Sequence, residues 1–402
     1  MSSVLSGAPL APSSSSSLRP MLAALSASLV GIGLARFAYT PLLPAIIAAH
    51  WFAASQAGYL AAANLMGYLI GALVAVPLAA RMPARTVLRG MMAATAASLL
   101  ACAWPLSFAW FCAWRIVSGI GGGALMVLAA PAVLPAIPAE RRGAASGLIF
   151  MGVGLGVAAS GTLVPLLLQW GLTQTWLALG LISLALTALA WTAWPASSAV
   201  ATTAPAPVAA AAPQRVPGLA RVYAAYALNA AGLVPHMVFL VDYVARGLGE
   251  GLAAASRYWI AYGLAAIAGP VLAGRLADRI GFRAALRVAH VLQAAAVGMT
   301  ALGLFGAAGL LVSSIVCGAF TPGIVPLVLG RVRELLADRP ALQHAAWSRA
   351  TTAFALLQAL AAYGMAWLLG ASGGRYALLF ALAAAAIVAA LALDLRGEAS
   401  SS

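Results

Sequence analysis

Apolar residues run through this chain in long blocks, cut at intervals by short clusters of arginine, proline and glycine. Cutting at those clusters leaves twelve apolar segments of roughly 20 residues each, the length a helix needs to cross a bilayer. They cover residues 20–48, 55–80, 87–105, 107–134, 143–168, 173–194, 219–246, 255–274, 284–305, 307–330, 345–370 and 374–395. Between the sixth and seventh lies an Ala/Pro/Thr-rich stretch with no apolar run. The pattern predicts an all-α integral membrane protein built as six helices plus six. Its parts are a disordered tail (1–18), a first bundle (19–195), a linker (196–218), a second bundle (219–396) and a short tail (397–402). The first tail lacks the early positive charge of a signal peptide, and the apolar run after Arg19 is too long for a signal core. That run is read as a retained first helix.

The two halves repeat. Arg279, Arg283 and Arg287 follow Arg81, Arg85 and Arg89 at a constant offset of 198 residues, close to half of the 402. A charged hinge repeated at half-chain spacing, between membrane-length segments, predicts two pseudo-symmetric six-helix bundles. Small residues stand at helix-contact spacing at Gly67 and Gly71, at Gly119 and Gly121–Gly123, and at Gly152, Gly154 and Gly156, which lets helix backbones approach closely. Pro41 and Pro44 in the first segment and Pro235 in the seventh predict that these two equivalent helices are broken around a central cavity. Pro322 and Pro326 interrupt the tenth.

Composition agrees and narrows the function. Hydrophobic residues make up 64% and charged residues 7%, with mean hydropathy +1.00; a soluble domain carries about 25% charged residues. The net charge of +14 does not imply nucleic acid. The basic residues, all Arg, gather in loops that fall on one face once the N-terminus is placed inside. That bias puts both termini and the linker in the cytoplasm of a bacterial inner membrane. Cys102, Cys112 and Cys317 lie in apolar runs with no metal-ligand spacing, and no phosphate-binding loop appears, so neither a cofactor nor ATP use is expected.

Gly274-Arg-Leu-Ala-Asp278-Arg279-Ile-Gly281-Phe-Arg283 resembles the cytoplasmic loop motif of the major facilitator superfamily in its second-half copy. Arg115-Ile-Val-Ser-Gly119-Ile-Gly121 resembles that superfamily's fourth-helix motif. Gly33-Leu-Ala-Arg36-Phe-Ala-Tyr39-Thr-Pro41-Leu-Leu-Pro44, with Asn64, Gly67 and Tyr68 following, is similar to its YbfB/YjiJ branch. The resemblance implies a twelve-helix fold, alternating access and coupling to an ion gradient. The first-half loop departs from the motif, with Ala80 in place of Asp and Pro83 in place of Gly. The fifth segment lacks the Gly-Pro pair of drug/proton antiporters.

Arg36 and Arg115 lie well inside apolar segments, where a charge costs roughly 2.5–3.5 kcal/mol on insertion scales. Either they bind an anionic substrate such as a carboxylate, or they are held by backbone carbonyls or an acid. Asp242 is the acid in the outer half of the seventh segment. Three readings stand: an ion pair with Arg36 between the halves, a proton-coupling carboxylate, or an interfacial residue beside Arg246 and Glu250. His236, after Pro235, suits a proton relay or a substrate contact, or is a satisfied interior residue. Tyr39, Asn64, Tyr68, Asn229, Thr351 and Gln358 are polar positions on segments expected to line the cavity, or else interhelical hydrogen bonds. His290 with Gln293 reads as packing, and His50 and His344 as loop or boundary positions. Asp278 with Arg279 and Arg283 reads as gating structure, the acid capping a helix start, with Glu140-Arg141-Arg142 and Arg331, Arg333 and Glu334 as counterparts.

The best reading is a monomeric secondary transporter of a small organic solute, an organic anion if the two arginines bind it, either coupled to H⁺ or facilitative. The runner-up is an exporter of amphipathic or drug-like compounds. A membrane enzyme would need a cluster of nucleophile, base or metal ligands, which four scattered His and eight acids do not supply. A sensor would want a soluble output domain.

Overall fold

The computed structural model describes residues 14–138, 142–195, 216 and 218–399. Among these, eleven helices are long and apolar enough to cross a membrane. We label the helices in chain order: α1 (Leu18–Ala48), α2 (Ala54–Arg81), α4 (Phe108–Ala136), α5 (Ala145–Leu168), α6 (Leu172–Trp191), α7 (Leu219–Gly247), α8 (Gly251–Ile280), α9 (Phe282–Leu302), α10 (Gly306–Leu335), α11 (Pro340–Ala371) and α12 (Tyr376–Arg396). Helix α3 (Ala84–Ala101) completes twelve; at 18 residues, with Arg85 and Arg89 in its first two turns, it is less apolar than the rest. The all-α two-bundle architecture expected from the pattern is present. Most of the linker (196–215 and 217), residues 1–13 and 400–402, and Glu140 and Arg141 lie outside the described residues. Helix already begins at Ser14, inside the stretch expected to be a disordered tail.

Packing repeats with the sequence. α2 lies along α4 as α8 lies along α10, and α3 packs on α4 and α6 as α9 packs on α10 and α12. Glycine makes these crossings close. A Cβ on Gly71 would sit 2.1 Å from the Ile120 carbonyl oxygen, and one on Gly269, again 198 residues on, 1.9 Å from that of Ala319. The arginine repeat has a structural meaning too. Arg89 Nε donates to the Trp191 carbonyl (2.6 Å), and its counterpart Arg287 donates to Asp394 Oδ2 (2.5 Å), so each pins the third helix of its half to the end of the sixth.

Two seams join the bundles, α2 on α11 and α5 on α8. In the first, Tyr59 stacks on Tyr363 at 6.1 Å between ring centroids. In the second, Trp259 Nε1 donates to Ser160 Oγ (2.9 Å), and a Cβ on Gly263 would lie 2.3 Å from Ala158 N. Near the face opposite the arginines, both bundles share a single apolar core. Toward the arginine-rich face each has its own. The antiparallel register that sets Gly161 by Ile260, Ala158 by Gly263 and Gly154 by Ile267 would bring Gly147 opposite Gly274. There a Cβ on either glycine meets nothing within 4 Å. The molecule is closed on one side and parted on the arginine-rich side.

Three local expectations are corrected. α1 and α7 are not broken: their prolines are absorbed in continuous helix, with π-helical turns at Leu29–Phe37, Pro235–Phe239 and Tyr243–Gly247. A wide turn re-aims side chains while keeping the backbone bonded, which hydrocarbon demands. Asp278 caps no helix start; it lies exposed in the last turn of α8. The turn into α9 is made instead by Gly281 at φ +81°, a conformation that suits glycine, where the first half uses Pro83 at φ −54°.

Substituting Gly269 by Leu should lower the unfolding temperature in detergent, since overpacking costs about 1–3 kcal/mol and the obstacle is backbone. Gly90→Ala, at a site with nothing within 4 Å, should leave it unchanged.

Candidate functional site

Where α1, α2, α4 and α7 meet, a cavity of about 10 Å³ is lined by Arg36, Tyr39, Thr40, Ala61, Asn64, Leu65, Arg115, Met237 and Val238. That is about the room one water requires. Four of the residues singled out from the sequence (Arg36, Tyr39, Asn64 and Arg115) are therefore brought together. Their states differ.

Arg115 is 1% exposed. Its Nη1 donates to the Ala35 carbonyl (2.6 Å), its Nε points at the Leu60 carbonyl (3.4 Å), and its guanidinium lies 4.3 Å from the centre of the Tyr39 ring. It clamps α4 to α1 and α2. Asn64 is spent on Ser118 Oγ (2.8 Å) and the Arg115 carbonyl (3.2 Å), and Tyr39 donates to the Ala57 carbonyl (2.9 Å).

Arg36 is half-buried and reaches across to the other bundle, where its Nη2 donates to Gln358 Oε1 (2.8 Å). The rings of Phe37 and Tyr68 flank it at 5.3 and 5.4 Å. Among the described residues no carboxylate is within salt-bridge reach of Arg36 or Arg115; the ion pairs found are Asp242–Arg246, Asp394–Arg287 and Glu334–Arg331. Both guanidiniums line this one cavity, and Tyr262 lies near enough to act on Arg36 electrostatically. Tyr262, whose hydroxyl bonds Thr321 Oγ1 (2.5 Å), was missed in the sequence. The 198-residue offset from Asn64 was the signal that could have found it.

Other candidates lie elsewhere. Asp242, fully buried, is bonded by Arg246 Nε (2.6 Å) and by the Tyr376 hydroxyl, all within the second bundle. The expected Arg36–Asp242 pair is absent on the closed side, because Arg246 follows Asp242 by one helical turn and reaches it first. His236 bonds Ser313 (2.7 Å), Asn229 bonds Gln293 (2.6 Å), and Thr351 Oγ1 is spent on backbone carbonyls of its own helix. None of these three lines the cavity. Gly274, Asp278, Arg279, Gly281 and Arg283 sit at the arginine-rich face, far from it in the chain direction. Cys102, Cys112 and Cys317 are free thiols.

The sequence pattern of the family described as uncharacterised MFS-type transporter YbfB matches residues 28–395, nearly the whole of both bundles. The chain belongs to this family. The fold agrees: the partially occluded, inward-open structure of the xylose transporter XylE from E. coli superposes with a TM-score of 0.70 at 17% identity, covering 94% of this chain and 97% of that one. A mutant of the nucleoside transporter NupG superposes equally well, at 0.70 and 13% identity, covering 94% and 99%. A chloramphenicol resistance protein from Streptomyces lividans is 27% identical over 258 residues, 63% of this chain and 66% of that protein, just under two thirds of its length. This multi-pass transporter is thus an MFS protein, and the cavity lies between its bundles.

Arg115→Gln in this transporter should cost about 2 kcal/mol or more in stability, since it orphans buried carbonyls and opens a packed clamp. Arg36→Gln, which keeps an amide near Gln358, should unfold within a few degrees of the parent. Detergent melts of the two variants decide the point.

Proposed function

We propose that this chain is a secondary transporter that carries a small organic anion across the bacterial inner membrane by alternating access, with both termini in the cytoplasm. One observation carries the reading. Two guanidiniums from α1 and α4 line the same cavity and have no carboxylate partner among the described residues. A buried charge without a counter-ion is costly in low dielectric. A carboxylate brought by the substrate offsets that cost and explains why it persists. The substrate sits on the parted side of Arg36, because the cavity beyond it holds about one water. Arg36 makes the contact and Arg115 fixes the helices around it.

Arg36 also bonds Gln358, the one polar bridge from its side chain to the second bundle. An anion that takes up this guanidinium alters the contact between the bundles, which is how binding favours one state over the other. Positive-inside bias makes the parted face cytoplasmic. The likeness to the chloramphenicol resistance protein supports the second reading, export of amphipathic compounds, in which Arg36 is a structural bridge.

A thermal-shift screen of the purified protein against organic acids, amino acids, sugars and cationic amphiphiles separates the two. Stabilisation by a carboxylate that vanishes in Arg36→Gln supports the anion reading. Stabilisation by cationic amphiphiles alone, unchanged in that variant, supports export. Alternating access makes a second demand: cysteines at 147 and 274, in a chain lacking its native three, should crosslink under mild oxidation in membranes. They need Cα atoms about 4.4–6.8 Å apart, which the parted state does not provide. No crosslink under any condition would count against closure by the α5–α8 seam.

A further inference from the structure

The interior of the second bundle is polar where a packing-only bundle would be apolar. On α7, Asn229 and His236 are seven residues apart and share a face. On α9, Arg287, His290, Gln293 and Thr300 share another. Asn229, His236 and Gln293 are fully buried, and His290 and Thr300 are 3% and 4% exposed. His236 Nε2 bonds Ser313 Oγ (2.7 Å), which also accepts from Thr300 Oγ1 (2.9 Å). The single Ser313 proton goes to the Ala296 carbonyl (2.7 Å). In the tautomer that this assignment favours, His236 donates from Nε2, and in either tautomer its Nδ1 has no partner. Asn229 Oδ1, Gln293 Nε2 and both ring nitrogens of His290 are also unpartnered. Each such buried atom costs about 1–3 kcal/mol, and lipid offers none of them a bond. Five in one bundle mark a place that holds water or protons.

The column has two ends. Thr300 borders a pocket lined by Tyr243, Glu250 and the Gly303–Gly306 turn, on the face away from the arginines. At the other end His290 is one turn from Arg287, whose salt bridge with Asp394 (2.5 Å) is partly exposed on the arginine-rich side. The repeat shows that this is not shared architecture. With Arg287 aligned to Arg89, His290 aligns with Met92, which is fully buried, and Gln293 with Thr95, whose hydroxyl is spent on the Met91 carbonyl (2.8 Å).

We propose that this column is a proton pathway inside the second bundle, separate from the anion cavity, in which His236 and His290 bind the coupling proton. His236 loads from the Glu250 pocket past Thr300 and Ser313, and His290 unloads toward Asp394. Loading adds a proton to the His236 Nδ1 lone pair and gives an imidazolium; unloading returns the neutral ring, and no electrons move. The pathway rests on the proposed reading of the chain as a secondary transporter and adds to it the coupling of transport to a proton. Around His236, α10 presents Ser313 with Cys317 one turn on, α12 presents Phe380 with Tyr376 one turn away, and α9 presents Thr300 and a carbonyl. Its own helix adds the Asp242–Arg246 pair a turn and a half on, with Tyr243. Asp394 is the charge that acts on His290, and α7 faces that region with Asn229. In this state no hydrogen bond among the described residues joins His236–Ser313 to Asn229–Gln293, and a coupled carrier needs such a break to avoid a leak.

The link to the anion cavity is short. His236 sits in the π-helical turn Pro235–Phe239, and its neighbour Met237 accepts from Thr40 Oγ1 of α1 (2.6 Å) and touches Gln358 Nε2 through sulfur (3.5 Å). A charge gained at His236 thus acts two contacts from Arg36.

Proteoliposomes on a solid-supported membrane, given a pH jump from about 8 to about 6 with no substrate, test this. The parent should show a transient charge displacement, and His236→Gln and His290→Gln should each reduce it by about fivefold or more. If either fails to fold by size exclusion, Thr300→Val stands in for His236 and Asn229→Leu for His290, with the same expectation. No displacement in the parent, or an unchanged one in either histidine variant, overturns the column. The jump uses no substrate, so a failed carboxylate screen leaves it standing, and a failed jump leaves the anion reading standing.

Discussion

Everything in this molecule depends on two antiparallel seams where backbone meets backbone, α2 on α11 and α5 on α8. They work because glycine and alanine stand at the crossings: at Gly263 and Ala158 the chains approach so closely that a Cβ would collide with a backbone nitrogen. Helices in lipid gain nothing from hiding apolar surface from one another, so close packing must supply the attraction. The same smooth faces can separate at little polar cost, the Trp259–Ser160 bond being the polar tie named across the α5–α8 seam. That is why one side of the molecule can share a core while the other keeps two, and why Gly147 and Gly274 continue the seam's register without touching anything.

Charge is distributed to suit that motion. Asp242, Asp394 and Glu334 each find an arginine inside the second bundle, so these pairs survive whatever the seams do. Arg36 is different. It spans the bundles through a neutral amide, a bond weaker than one to a carboxylate, and so is easily exchanged for an anionic ligand. Arg115 is tied to the carbonyls of Ala35 and Leu60 and serves the first bundle alone.

Helix number, the half-chain repeat and the interior placement of Arg36 were legible from the sequence, because each rests on a strong energetic rule: apolar length, arginine placement and the cost of a charge in hydrocarbon. Partner choice was not. Asp242 looked poised for Arg36, yet Arg246 is a turn away on the same helix and needs no tertiary contact to find it. The prolines of α1 and α7 suggested breaks, but π-helical turns keep the backbone bonded. Asn229 and His236 read as cavity positions because helix number was known and helix rotation was not; they face Gln293 of α9 and Ser313 of α10 instead. His290 and Gln293, read as packing, are indeed buried inside the bundle; which polar atoms they would meet or leave unpartnered there depends on orientation about the axis, which sequence does not give.

Rotation also shows how one repeat came to hold two different jobs. α4 and α10 begin 198 residues apart, at Phe108 and Gly306, so Arg115 and Ser313 occupy the same place in their bundles. In the first, that place holds a cation beside a cavity with room for about one water; in the second, a hydroxyl bonded to an imidazole. A carrier that couples two solutes needs each to be felt by the other without sharing a path. Under the two proposals made above, placing them at equivalent positions in opposite bundles, on either side of the α1–α7 contact between Thr40 and Met237, would satisfy both conditions: the sites would be separate, and one rocking motion would move them together.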